Sequence, residues 1–377
     1  MKRLNFCPGS FVHNKHLISI GFYLLLIFAF TVAIYPSLAY FTAATLLFLW
    51  LLDLLIFREP EFVNMPLFYP IMALMAILLV AWLVARIYGI ENNFVHIAFL
   101  SLFYFIVQGF VVTNEQRRMI MWTFASGILL YSGIRLALWW SGLPHPGNEM
   151  IQITQPQISF ISLAICILTT FLAEARGLYE RVFYVLVCLP LVILALLISD
   201  RTVILAILAI VVSIAIFRDR RLMIPVAAII LIAILGIGGI HYYLERNLNI
   251  AGLGKIIIAP VSAAIYDPDI ISEASFFGAN ITAQDYNMNP GYLNSFFLEL
   301  IRGAGPPAFL MLAYIFLERG RESYFKRKKV TLSEEKSYHL TVILVIAVLF
   351  VLNMYGTAFF FPNVVLAAWM ILGIGEA

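Results

Sequence analysis

The chain has 377 residues, of which 63% are hydrophobic and 12% charged, about half the charged share of an ordinary soluble domain. Its mean hydropathy is +0.96, so the solvent around most of it is lipid; this excludes a soluble enzyme on a single anchor and excludes nucleic-acid binding as the main activity. The net charge of +3 decides nothing alone; the placement of the charges does.

The first sixteen residues carry Lys2, Arg3 and Lys15 ahead of an apolar run. No small-residue cleavage site follows a short core, so a retained first span is predicted rather than a signal peptide. Apolar stretches long enough to cross a bilayer then recur along the sequence. The predicted spans are 17–34, 38–57, 66–86, 94–113, 119–140, 158–175, 182–198, 202–217, 222–240, 291–317, 338–354 and 357–374. The expected fold is therefore all-α: one integral membrane domain over 1–377 with about twelve transmembrane helices.

The basic residues test that count. With the first residue inside, the inner segments hold Lys2, Arg3, Lys15, Arg58, Arg117, Arg118, Arg176, Arg181, Arg218, Arg220, Arg221, Arg319, Arg321, Lys326, Arg327, Lys328, Lys329 and Lys336. The outer segments hold only Arg86, Arg201, Arg246 and Lys255, and Arg135 and Arg302 fall within spans. Basic residues concentrate in cytoplasmic loops, so both termini and the basic loop Arg319–Lys336 are expected in the cytoplasm. The proline-rich stretch 141–157, without Lys or Arg, suits the outer face. The longest loop, 241–290, is also placed outside; an apolar part precedes an acidic part in it. No internal repeat is evident, which argues against transporters built from duplicated halves.

Ionisable residues in or beside lipid are costly and invite a functional hypothesis. Arg201 sits in the outer turn SDRTVILAIL, where a guanidinium can grip phosphate in two-pronged fashion; pairing with Asp200 or a lipid headgroup explains it equally. Glu299 and Arg302, three apart, can pair on one helix face. Arg302 lies roughly 15 Å below the outer surface at the helical rise. A structural ion pair is the expected role of these two. Gly303, Gly305, Pro306 and Pro307 are predicted to break or kink that helix. In the long loop, Arg246 and Lys255 lie near His241, Asp267, Asp269, Glu273 and Asp285. Arg246 and Lys255 could hold an anionic ligand beside these carboxylates, and a solvated loop face accounts for the cluster as well. Arg135, His96, Asp53 and Glu174 lie in or near spans; snorkelling toward the cytoplasmic ends accounts for Asp53 and Glu174. Cys7, Cys166 and Cys188 have no metal spacing. No Walker loop, paired His/Cys site or nucleophile elbow is present.

Three segments, in order, resemble the bacterial O-antigen ligase and polymerase family. SDRTVILAILAI resembles the family's small-polar-plus-Arg opening of a middle span. Lys255-IIIAPVSAAIYDP and Phe277-Gly278-Ala279-Asn280 resemble its outer basic residue, helix, proline and glycine turn. Leu293-Asn294-SFFLELIRGAGPPAFL resembles its late span, with Leu293 where the family has histidine. The resemblance covers roughly 195–320 and implies a glycosyltransferase whose donor is a glycan on undecaprenyl diphosphate at the outer face of the bacterial inner membrane. It implies substrate contacts from Arg201, Lys255, Arg246 and Asn294, no cofactor and no metal. It also implies a base or precise positioning for the acceptor hydroxyl, with Asp267, Asp269, Glu273, Asp285 and His241 as base candidates among which sequence does not choose. The implied partners are the lipid-linked glycan, membrane lipid and a chain-length regulator or flippase. The replaced histidine, which serves the acceptor hydroxyl in ligases, favours a polymerase over a ligase that moves finished glycan to lipid A-core. A secondary transporter or flippase is the alternative of another class, and predicts midplane charges in both halves.

Overall fold

A computed structural model describes residues 15–57, 67–87, 94–140, 155–175, 177–198, 201–217 and 295–374. Every regular element among them is helical, as lipid demands of a chain whose backbone groups must be satisfied internally. The helices are α1 (Lys15–Thr31), α2 (Pro36–Phe57), α3 (Phe68–Ile87), α4 (Val95–Leu100), α5 (Phe103–Phe110), α6 (Asn114–Trp140), α7 (Gln155–Glu174), α8 (Leu178–Ile198), α9 (Arg201–Phe217), α10 (Phe296–Ala304), α11 (Pro306–Lys329), α12 (Ser333–Met354) and α13 (Pro362–Ile374). Six of them, α2, α3, α6, α7, α8 and α12, are long and apolar enough to cross a membrane. Shorter apolar helices cover His16–Thr31, Val95–Phe110, Thr202–Phe217 and Pro362–Ile374. The chain is thus a polytopic helical membrane protein.

Several predicted spans differ in detail. The span at 94–113 holds α4 and α5, joined at Ser101–Leu102 by a tightened turn whose backbone stays in the right-handed helical region; there the Ser101 hydroxyl donates to the Ala98 carbonyl at 2.6 Å. The span at 291–317 is divided into α10 and α11 at Gly305, whose φ of 86° is open to glycine at no steric cost. Pro306 and Pro307 then start α11, where missing N–H groups cost nothing. The segment Arg319–Lys336, expected as a loop, is helical as far as Lys329 and again from Ser333, leaving only 330–332 between the two helices. Predicted span 222–240 and loop 241–290 lie outside the described residues.

α7 and α12 form the centre. Of their most apolar windows 78% and 72% are buried inside the protein, against 28% for both α2 and α8, whose bare apolar faces suit lipid. The Thr170 and Thr341 hydroxyls join the two central helices at 2.7 Å, a polar contact of the kind that holds helices together in lipid. α9, α11 and α13 pack around α12, and α13 also packs on α5. From Asn363 to Ile374 every side chain of α13 is buried. The turn after α12 is organised by Asn353. Its Oδ1 accepts from the Phe359 N–H at 2.9 Å, its Nδ2 donates to Leu349 O at 2.8 Å, and its carbonyl accepts from Ser295 Oγ at 3.2 Å.

α1 crosses α6 at very short range. A Cβ added at Gly127 would stand 2.3 Å from the carbonyl oxygen of Phe30, a backbone atom that moves only with its helix. Gly127→Ala is therefore expected to push α1 off α6 and to cost about 1–3 kcal/mol, the usual range for overpacking. Thermal melting of the detergent-solubilised protein reads this. Gly133→Ala, on the same helix with nothing within 4 Å of its added Cβ, should leave the melt unchanged, and equal losses at both positions would refute the close crossing.

Candidate functional site

Charge gathers at one end of the bundle. Asn114 and Arg117 begin α6, Glu174 ends α7, Phe217 ends α9, Lys326 and Arg327 lie near the end of α11, and Glu335 opens α12. Long-range contacts tie these termini together. Arg327 Nη2 donates to Glu174 Oε1 at 2.8 Å, and its Nη1 donates to the carbonyl of Phe217. That carbonyl is one of the four a helix end leaves without an internal partner. Asn114 Nδ2 donates to Glu335 Oε1 at 2.7 Å, and the Tyr338 hydroxyl donates to Asn114 O at 2.9 Å.

Arg319 is the innermost of these charges and is fully buried. Its Nε donates to Leu372 O at 3.1 Å, close to the end of α13, and its Nη1 donates to Glu322 at 3.1 Å. Burial pushes its pKa down to about 10, a fall that the Glu322 carboxylate opposes; it stays charged at neutral pH. Burial also lowers Lys326, again opposed by Glu322. The His339 ring, 6% exposed, feels Arg319, Lys326, Arg117 and Arg327 together. Ser323 Oγ and His339 Nδ1 are buried and have no hydrogen-bond partner, as do Arg117 Nε and Arg327 Nε.

Sequence reasoning passed over this network because lysines and arginines next to a span read as a solvated loop. A signal existed. Arg319, Glu322, Ser323, Lys326 and Arg327 stand at i, i+3, i+4, i+7 and i+8, one face of a helix. Glu174 was expected to snorkel and is instead the partner of Arg327.

The predicted site residues fare unequally. Arg201 is the first residue of α9. Phe217, at the other end of α9, touches Arg327, so Arg201 stands about 24 Å from the charged end at the helical rise. Glu299 is buried in α10 and Arg302 half-buried one turn on, near enough for its charge to act on Glu299. His241, Arg246, Lys255, Asp267, Asp269, Glu273, Asp285 and Asn294 lie outside the described residues. Their neighbour Ser295 bonds Asn353 O, and Phe296 N–H bonds Gly356 O at 2.9 Å. Both acceptors lie where α12 ends, away from the charged end at which it begins. Phe217 and Ser295 thus mark opposite ends of the bundle. His96 is also placed there, its Nε2 3.3 Å from Phe359 O. Among the described residues no group of His, Cys, Asp and Glu has the geometry of a metal site.

Compared with known proteins, the chain matches no family model and no curated sequence. The class that sequence and structure establish together is that of a multi-pass, all-α membrane protein with a buried ionic network closing one end of its helix bundle.

Proposed function

We propose that the chain is a membrane glycosyltransferase that polymerises undecaprenyl-diphosphate-linked O-antigen or exopolysaccharide repeat units at the outer face of a bacterial inner membrane. The observation that supports this is Arg201. It opens α9 at the end of the bundle remote from the basic network. Under the positive-inside rule that end faces out, with both termini in the cytoplasm. The start of a helix adds positive potential there. A guanidinium in that setting suits a lipid pyrophosphate leaving group, whose charge grows as the glycosidic bond breaks. Lys255, Arg246 and Asn294 are proposed to share the donor. The base for the acceptor hydroxyl is sought among His241, Asp267, Asp269, Glu273 and Asp285. Glu299 and Arg302 are assigned a structural role within the same half.

Deleting the gene and resolving the surface glycans on a gel tests this. The expected result is loss of long chains with single repeat units retained. Lipid-linked polymer that never reaches lipid A would assign the ligase reaction instead. An unchanged ladder with altered solute uptake would replace the enzyme by a transporter.

A further inference from the structure

A cavity of about 330 Å³ opens at the charged end, between the starts of α6, α8 and α12 and the end of α7. Its wall carries both signs of charge: Arg118 from α6, and Glu174, Glu180 and Glu335 from the other three helices. The aromatic side chains of Phe171 and Tyr184 line it as well. With Trp122 these rings make a nearly parallel set, Trp122 lying 3° from Phe171 and 24° from Tyr184 with centroids 5.8 and 5.7 Å away. Such faces attract a cation that carboxylates already favour.

Two more observations bear on the occupant. The first concerns hydrogen bonding. Arg117 stands one helical turn after Asn114, which lines the cavity and bonds both Glu335 and Tyr338. Its Nε–H is buried and meets no acceptor, and an unmatched buried donor calls for one. The second is access. α8 supplies Glu180 and Tyr184 to the cavity, while Tyr179, Val182, Phe183 and Leu186 of the same helix are exposed and apolar. That is a lipid-facing surface running up to the cavity. An amphiphile lying along α8 would bring its polar end to the mouth.

We propose that this cavity binds the headgroup of a zwitterionic aminophospholipid, with the phosphate toward Arg118 and Arg117 and the ammonium toward Glu180 and Glu335 above the Phe171 and Tyr184 rings. With Glu174 paired to Arg327, the Glu180 and Glu335 carboxylates disfavour a headgroup of net negative charge. The same carboxylates accept from a primary ammonium, which has three donors, whereas a quaternary ammonium has none. The inference stands on the bundle's membrane-spanning character and is independent of glycosyl transfer.

The test is thermal melting of the purified full chain in detergent, titrated separately with dihexanoyl-phosphatidylethanolamine, dihexanoyl-phosphatidylglycerol, dihexanoyl-phosphatidylcholine and free phosphoethanolamine. Ligand binding to the folded state raises Tm by mass action. The expected result is a saturable rise of roughly 2–4 °C with the ethanolamine lipid, lost in Glu335→Gln and in Arg118→Gln. Glu335→Gln keeps an oxygen for Asn114, and its unliganded Tm shows whether it folds. Glu180→Gln, on the exposed start of α8, provides a second variant should Glu335→Gln misfold. Equal potency of phosphatidylglycerol would mean a simple anion site and overturn the proposal, as would equal potency of phosphatidylcholine. Free phosphoethanolamine saturating at the same concentration would assign a soluble ligand in place of a lipid. A shift retained in the variants, or no shift with any probe, would remove the site.

Discussion

Arg319→Leu is expected to lower the melting temperature of the detergent-solubilised protein by roughly 5–10 °C, equivalent to about 3 kcal/mol. The side chain is wholly buried and serves two acceptors on different parts of the fold, the Leu372 carbonyl and the Glu322 carboxylate. Removing it leaves the carbonyl near the end of α13 without its donor. It also strips Glu322, itself mostly buried, of its close partner. Part of the loss is offset, because Arg319 repels Arg117 and Lys326, and that strain leaves with it. Lysine at 319 should recover little, since one ammonium does not reproduce the guanidinium fork that reaches both acceptors. Arg321→Leu is the control. Arg321 bonds Glu318 at 2.6 Å on the exposed side of the same helix, where ion pairs add little to stability, so its melt should match the parent protein. Equal effects at 319 and 321 would show that burial is not what makes Arg319 matter.

Arg201→Ala is expected to reduce glycan transfer about a hundredfold while the protein still inserts and folds. The reasoning rests on the proposed contact with the donor pyrophosphate. Losing one charge-assisted hydrogen bond to an oxyanion that develops in the transition state costs on the order of 3 kcal/mol. Arg201→Lys should restore part of the rate, as a point charge without the planar fork. The measurement is single-turnover transfer from a lipid-linked repeat unit by purified protein, with the melt recorded alongside. Parent-level turnover in Arg201→Ala would end this role for Arg201, and a lowered melt would assign the residue to folding.

Hydropathy located the helices well because lipid leaves few choices: an apolar run of span length is helical wherever it sits. The described part of each predicted span except 222–240, which lies outside the described residues, is mostly helical, and the break foreseen at Gly303–Pro307 occurs at Gly305. The interruption at Ser101–Leu102 was not legible, since SLFYF reads as one more apolar stretch. The charged end was missed for a different reason. Its bonds join residues 221, 153 and 53 positions apart, as in Asn114–Glu335, Glu174–Arg327 and Arg319–Leu372. Local pattern carries no record of such pairings. Counting Lys and Arg as loop markers also hid the helical phase of Arg319–Arg327. Of the site drawn from the family resemblance, Arg201 falls at a helix start, which its place between two apolar runs had already indicated.

The two central helices are far apart in the order of synthesis. α7 leaves the ribosome well before α12, separated by the chain from Glu174 to Ser333, an interval on the order of 10–30 s at usual translation rates. During it α2, α3 and α8 can rest in the bilayer as they are, because their faces already suit hydrocarbon. α7 waits without the Thr341 hydroxyl and without the apolar cover of α12. Final assembly is therefore deferred until the chain has passed Ile374 and α13 can settle against α5. A nascent chain interrupted before Ser333 would lack Glu335, Tyr338 and Leu372, and so would leave Asn114 and Arg319 without the partners that close the charged end.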